Sequence, residues 1–334
     1  MNSAWFVRRS ISYIKPQTLR KTVNSATAAT VFGFRKFSAG RVSNMKFVQF
    51  SYKNNPSEIR VGYLDKDNVV DLNKAIPDLP TTLLEILKKG QLDKVLSSYK
   101  SSSNPVKEPL SNVLLKAPIT GMDKVLCIGL NYKDHCEEQN LKPPEVPMIF
   151  GKFASTVIGQ SDAVKLRTDV TDKVDWEVEL ALVIGKTASR VKAANAFDYI
   201  LGYTVAQDIS GRDWQKAKNG GQFLLGKSMD TFCPIGPCIA TADEVKDPQN
   251  LAIKCSINGV LKQSSRTDQL VHKIPDVIER LTSVMTLYPG DILLTGTPGG
   301  VGMYRSPPEY LKPGDVIHSE IENIGTLETR VEKF

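Results

Sequence analysis

The sequence predicts an α+β fold that is mainly β, with a small N-terminal β/α region ahead of a larger β-rich one. Three observations predict it. Short apolar runs recur between Gly- and Pro-containing loops from about residue 112 to the C-terminus. Helix-like spacing is clearest in residues 82–99, 212–218 and 274–286. A polar, proline-punctuated stretch, "SSYKSSSNPVKEP", reads as a linker between the two regions. The boundaries expected are a leader over 1–44, a small domain over 45–110 and a catalytic domain over 111–334.

The leader carries Arg8, Arg9, Lys15, Arg20, Lys21, Arg35, Lys36 and Arg41, and the first acidic residue of the chain is Glu58. Rich in Arg, Ser and Thr and free of acids, it has the composition of a mitochondrial transit peptide, so the expected location is the matrix. The net charge of +7 resides there; the body holds 35 basic against 36 acidic residues. A near-neutral body argues against nucleic acid as a partner. No apolar run approaches the ~20 residues that span a bilayer. The first strands are expected at "KFVQFSY", "IRVGYLD" and "NVVDL", and Leu83, Leu84, Ile86, Leu87, Leu92 and Val95 mark the helix after them. Further strands are expected at "KVLCIGL", "WEVELALVIG", "ILGYTVAQ", "LAIKCSING", "DILLTG" and the last twenty residues. The five cysteines, Cys127, Cys136, Cys233, Cys238 and Cys255, form no C-x-x-C pair, which argues against structural zinc. Reduced thiols suit a matrix protein.

The chemistry centres on "VDWEVELALVIGK". Strand side chains alternate between faces. Val174, Trp176, Val178, Leu180, Leu182 and Ile184 make one apolar face; Glu177 and Glu179 share the other, which turns apolar at Ala181 and Val183. That pattern predicts a strand running from a wet pocket into a core, with two carboxylates at the pocket end. Adjacent buried carboxylates repel and are costly to desolvate. A bound cation relieves both costs; an edge strand with its glutamates on lysines or water is the alternative.

Four other stretches could carry function. In "GLNYKDHCEEQ", His135 and Glu138 are three residues apart, on one face of a helical turn, as a carboxylate-oriented general base would be; a solvated helix start has the same pattern. In "YTVAQDISGRDWQ", Asp208 sits where a helix N-cap would, and Arg212 could hold a substrate carboxylate or lie on the surface. "GQFLLGKS" fits the P-loop pattern, but no strand precedes it and the two prolines of "MDTFCPIGP" preclude a following helix, so no nucleotide is expected. Phe223 to Leu225 read as a strand, leaving Lys227 either in a pocket or exposed. In "DILLTGTPGGVG", backbone N–H groups of the glycine-rich turn could hold an anion, or the turn is merely tight.

Together, "VDWEVELALVIGK", "QDISGRDWQ", "LLGKSMDTFCPIGP" and "YPGDILLTGTPGGVG" resemble, in order, the motifs of the fumarylacetoacetate hydrolase family over roughly residues 112–334. "NYKDHCEEQN" and residues 45–110 resemble its domain-containing protein 2 branch. The resemblance implies a mixed β-roll, a homodimer and a divalent metal, Mg²⁺ or Mn²⁺ with Ca²⁺ also admitted, on Glu177, Glu179 and Asp208. It places His135 and Glu138 as the catalytic dyad and Lys227 as a pocket lysine. Arg212, Gln215 and Thr297 match positions near the substrate, an α-keto dicarboxylate or acylpyruvate. The branch implies keto–enol tautomerisation of oxaloacetate. Acylpyruvate hydrolysis and oxaloacetate decarboxylation are the alternatives, and a non-catalytic binding protein on the same fold is the remote one.

Overall fold

The computed structural model describes residues 45–101 and 105–334. The expected leader and the middle of the expected linker lie outside the described residues. The ends of that linker are not loop: residues 97–101 continue the helix Leu92–Ser101, and Lys107–Pro109 pairs as a strand with Asn68–Asp71. The helix expected over 82–99 is two, Leu83–Lys88 and Leu92–Ser101, separated at Gly90, whose φ of +62° breaks the helical path.

The fold is mainly β, as the strand pattern predicts. Its larger sheet has twelve strands. Across its middle run Lys46–Tyr52, Cys233–Thr241, Ile200–Gln207, Val178–Ile184, Ile292–Leu294, Val125–Gly129 and Met148–Lys152, in that order. The N-terminal strands are hydrogen-bonded into this same sheet, Lys46 and Phe47 facing Ala240 and Ile239. A second sheet of five strands contains the hairpins Ala252–Ile257/Val260–Arg266 and Val316–Ile321/Gly325–Lys333.

The alternation along Val178–Ile184 explains how the layers stack. Val178, Leu180, Leu182 and Ile184 share one core with Ile253, Cys255, Ile317 and Leu327 of the five-stranded sheet. Ala181 and Val183 face the opposite core, with Leu83 and Ile86 of the N-terminal helices. The strand is thus apolar on both faces along most of its length, as a central strand is. Its polar residues are confined to the end where the site lies. Among the described residues no helix is long and apolar enough to cross a membrane.

Candidate active site

Three carboxylates meet because two neighbouring strands end side by side. Val178–Ile184 and Ile200–Gln207 are antiparallel, with Val178 opposite Gln207 and Glu179 opposite Ala206. Asp208 follows the second strand directly, and its N–H donates to the carbonyl of Glu177 (2.9 Å). The continuous strand expected from Val174 is interrupted: Val174–Asp175 pairs with Ser210–Gly211, and Trp176 and Glu177 belong to no ladder. Side chains satisfy the freed backbone. Trp176 N–H donates to Asp175 Oδ1 (2.8 Å), Glu177 N–H to Gln207 Oε1 (2.8 Å) and Val178 N–H to Gln263 Oε1 (3.0 Å). One oxygen from each of Glu177, Glu179 and Asp208 then lies within 4.8 Å of the others, all three residues being buried.

Three cations answer these charges unequally. Lys227 Nζ donates to Glu177 Oε2 (2.7 Å) and Asp208 Oδ2 (2.6 Å). Lys152 Nζ donates to Asp208 Oδ1 (2.7 Å) and to the carbonyl of Ile209 (3.1 Å). Arg212 bridges Asp175 Oδ2 through Nε (2.8 Å) and Glu177 Oε1 through Nη1 (2.6 Å). Burial pushes the Glu177 carboxyl up, but Lys227 and Arg212 outweigh it and hold it at about 2. Glu179 is the opposite case. Burial, Asp208 and Glu177 push its carboxyl well above the ordinary range. Its Oε2 accepts the Gly296 N–H (2.6 Å), and among the described residues no basic side chain forms an ion pair with it.

Converging buried oxygens, one set of them without a protein counter-charge, could hold a divalent cation, and the all-oxygen donor set is that of a hard ion. The nearby thiols are no part of the acidic cluster, and burial pushes Cys127 well up and Cys233 to about 12.

The glycine-rich turn does bind anions, and they are the protein's own carboxylates. Besides Gly296 on Glu179, Gly300 N–H donates to Glu138 Oε1 (2.8 Å), Gly302 N–H to Asp175 Oδ1 (2.7 Å) and Met303 N–H to Asp175 Oδ2 (2.9 Å). The turn thereby ties the carboxylate triad to the helix Lys133–Glu138, the helical turn expected there. On that helix His135 Nδ1 and Glu138 Oε2 are 2.9 Å apart.

The sequence-predicted residues converge on one cavity of about 220 Å³, lined by His135, Glu177, Glu179, Arg212, Gln215, Lys227 and Thr297 among others. Glu138 stands behind His135, and Asp208 is wholly buried beneath the lysines. Asp208 is not a helix cap: the helix Arg212–Lys216 starts after Gly211 without a side-chain cap. Phe223 to Leu225 do not form a strand. Leu224–Lys227 is a single helical turn packed on Arg212–Lys216, and a Cβ at Gly226 would lie 2.4 Å from Gln215 N. That glycine serves a close backbone approach, not a phosphate. With Lys227 buried and committed to two carboxylates, neither ATP nor GTP is expected to bind at millimolar concentration. Saturable binding by calorimetry, lost in Lys227→Ala, would restore the P-loop reading.

Sequence reasoning missed Lys152, Asp175 and Gln207. Lys152 is a lone lysine in the apolar run "MIFGKF", which carries no pattern to flag it. Asp175 and Gln207 flank residues that were flagged, and their position beside Glu177 and Asp208 was the available signal.

A mainly-β fold that gathers three buried acids, two lysines and a His–Glu pair around one small cavity defines a class, proteins whose centre is suited to a divalent cation and an anionic ligand. Residues 124–332 match the model of the fumarylacetoacetate hydrolase C-terminal domain. The chain is 46% identical to the mitochondrial oxaloacetate tautomerase of Xenopus laevis over 89% of its length and 93% of the relative. It is 47% identical to the human mitochondrial oxaloacetate tautomerase FAHD2A over 79% of its length and 83% of that protein. Among solved structures, fumarylacetoacetate hydrolase from Exiguobacterium antarcticum is similar with a TM-score of 0.75 at 32% identity, over 87% of this chain and all of that one. Maleylpyruvate hydrolase from Sphingobium, in complex with manganese(II) and pyruvate, is similar at 0.70 and 29%, over 86% and 99%. The chain belongs to the fumarylacetoacetate hydrolase family, in the branch of its domain-containing protein 2.

Proposed function

We propose that the chain is a metal-dependent oxaloacetate tautomerase that converts the enol form to the keto form in the mitochondrial matrix. Its likeness, over 89% of the chain, to a relative named for that activity carries the reading. The site is suited to it. A cavity of about 220 Å³ is below the ~300–1,000 Å³ of sites for drug-sized ligands, and so suits a small acid. Glu177, Glu179 and Asp208 would hold Mg²⁺ or Mn²⁺, the latter accompanying the related maleylpyruvate hydrolase. A cation bound there supplies Lewis acidity toward the keto and carboxylate oxygens of an α-keto acid.

The chain's own residues supply the rest. Arg212 and Lys227 bring cationic groups to the cavity floor, already paired with Asp175, Glu177 and Asp208, and a bound cation would add the charge that favours a dianion. Gln215 accepts from Arg212 Nη1 (3.0 Å) and fixes that guanidinium against the cavity. Thr297 is held by two bonds, donating to Val178 O (2.9 Å) and accepting from Gln263 (2.8 Å), and forms a fixed polar wall. Ketonisation moves one proton: an enol O–H breaks, a C–H forms from the C=C electron pair, and the oxygen becomes a carbonyl. His135 carries that proton, with Glu138 steadying the imidazole, and Lys227 is a second carrier. A homodimer, in keeping with the family resemblance, is part of the same proposal.

Acylpyruvate hydrolysis or oxaloacetate decarboxylation on the same fold would release pyruvate. The test follows loss of enol absorbance on the purified protein with Mg²⁺ or Mn²⁺ and assays pyruvate in parallel. Ketonisation is expected to outrun pyruvate release by far. Pyruvate formed as fast as enol disappears would replace the tautomerase reading with a hydrolase or decarboxylase one.

A further inference from the structure

Gln139 stands four residues after His135, at the C-terminal cap of the helix Lys133–Glu138, and lines the cavity with it. Its Nε2 lies 3.2 Å from the carbonyl oxygen of His135 and 3.0 Å from His135 Nε2. A carbonyl oxygen only accepts, so the group facing it must be the NH₂ end of the carboxamide. The second hydrogen of that NH₂ is then directed at the imidazole, and His135 Nε2 is its acceptor. The other ring nitrogen agrees. Nδ1 faces Glu138 Oε2 at 2.9 Å, and Glu138 Oε1 is already taken by Gly300 N–H. A carboxylate only accepts, so Nδ1 carries the ring proton. The two partners together leave His135 neutral, with a bare Nε2 capped by an amide N–H.

We propose that Gln139 is a positioning residue that keeps His135 Nε2 bare at rest and returns the proton during turnover. This rests on the tautomerase reading for its consequence. An enol O–H is a donor and replaces the Gln139 N–H at Nε2; the keto form offers no such hydrogen. The cap therefore stands in for the enol and makes the site selective for that tautomer. When the O–H bond breaks and its proton moves to Nε2, the ring becomes a donor at both nitrogens. Glu138 accepts from one. At the other, the N–H faces the substrate oxygen the proton came from, and the NH₂ of Gln139 has no lone pair to offer in its place. The protein thus accepts from the imidazolium on one side only, which favours giving the proton up to the substrate carbon, where the C=C pair forms the new C–H bond. The ring ends neutral and capped again, and no oxidant or co-reactant is consumed.

Near-isosteric replacements separate this role from a merely structural one. Gln139→Glu keeps the shape but offers an acceptor, so it holds the proton on Nε2. Turnover of enol-oxaloacetate is expected to fall roughly 100-fold, within the range of general acid–base contributions, with little change in KM. Gln139→Leu removes the cap without holding the proton and is expected to cost about fivefold, the scale of one hydrogen bond. A merely structural role predicts no such difference, since neither Glu nor Leu can donate to the His135 carbonyl and both lose that bond. The second readout needs no substrate. The chain has three histidines, so ¹⁵N-histidine labelling with His135→Asn as the assignment control resolves the His135 ring. In the resting protein Nδ1 is expected protonated and Nε2 bare; in Gln139→Glu both are expected to carry protons. Nε2–H in the unmodified protein overturns the proposal, as does Gln139→Leu being the slower variant. If the protein ketonises nothing while the ring shows a bare Nε2, the tautomerase reading fails and the cap on His135 stands.

Discussion

Glu179→Gln is expected to abolish metal-dependent turnover while leaving the metal-free protein at least as stable as before. The two halves have one cause. Glu179 is buried and, among the described residues, accepts a single hydrogen bond, from Gly296, while burial and the neighbouring Asp208 and Glu177 all act against its charge. Glutamine keeps the volume and the acceptor for that N–H, and cannot ionise. The folded chain loses a buried carboxylate that no protein cation pairs with, so no stability is lost on that account. The cation loses one of three anionic donors. Its affinity should fall by more than the ~10–100-fold that follows removal of an outer hydrogen-bond partner of a ligand. Turnover should fall by at least ~10³, beyond the loss of a single oxyanion donor. Melting with and without Mn²⁺ reads both halves. At a hundredfold excess over its dissociation constant the metal adds about 2.7 kcal/mol to the unsubstituted protein, and this increment should vanish in the variant. Calorimetric metal binding that is unchanged in Glu179→Gln would remove Glu179 from the ligand set.

That glutamate was legible in the sequence because alternation is a local signal. A carboxylate on a face that otherwise runs apolar stands out whatever the rest of the chain does. Glu177 was found by the same rule, although the strand is broken at that point. The break is made by Gln207 and Gln263 capping backbone N–H groups from other strands, a contact that no local window contains. The strand Cys233–Thr241 was hidden for a different reason. Pro234 and Pro237 argue against a strand in the interior of a sheet, yet this one lies between Lys46–Tyr52 and Ile200–Gln207. Its ladder with Ile200–Gln207 shifts register between Tyr203 and Val205, which accommodates the missing donors. The turn Leu224–Lys227 was misread as a strand because three apolar residues in a row carry no period. The glycine-rich turn reads in sequence as either an anion site or a plain tight turn, and its partners lie more than a hundred residues away, so that it holds Glu138, Asp175 and Glu179 could only be seen once folded.

Lys152 and Lys227 both bond to Asp208, and their removal is expected to have opposite consequences. Lys152 is wholly buried, outside the cavity lining, and its ammonium meets Asp208 Oδ1 and the Ile209 carbonyl. It is a fixed counter-charge on Oδ1, while Asp208 Oδ2 accepts from Lys227. Lys152→Met strands a buried carboxylate oxygen, and breaking a buried pair from one side costs about 3–5 kcal/mol. Because the same ammonium sets the direction of Asp208, metal affinity should fall by roughly 10–100-fold as well. Lys227 instead reaches the cavity and bridges Glu177 and Asp208, two of the three acids that would hold a cation. Lys227→Met removes a competitor for those acids, and the metal can replace the charge that is lost. Metal affinity should therefore hold or rise, while turnover falls because a positive group facing the substrate has gone. Urea unfolding of the metal-free proteins and calorimetry with Mn²⁺ decide between them. Should Lys152→Met unfold at the same urea concentration as the unsubstituted chain and bind Mn²⁺ equally well, Lys152 is not the anchor of Asp208. Should Lys227→Met be the variant that loses metal, the roles of the two lysines are exchanged.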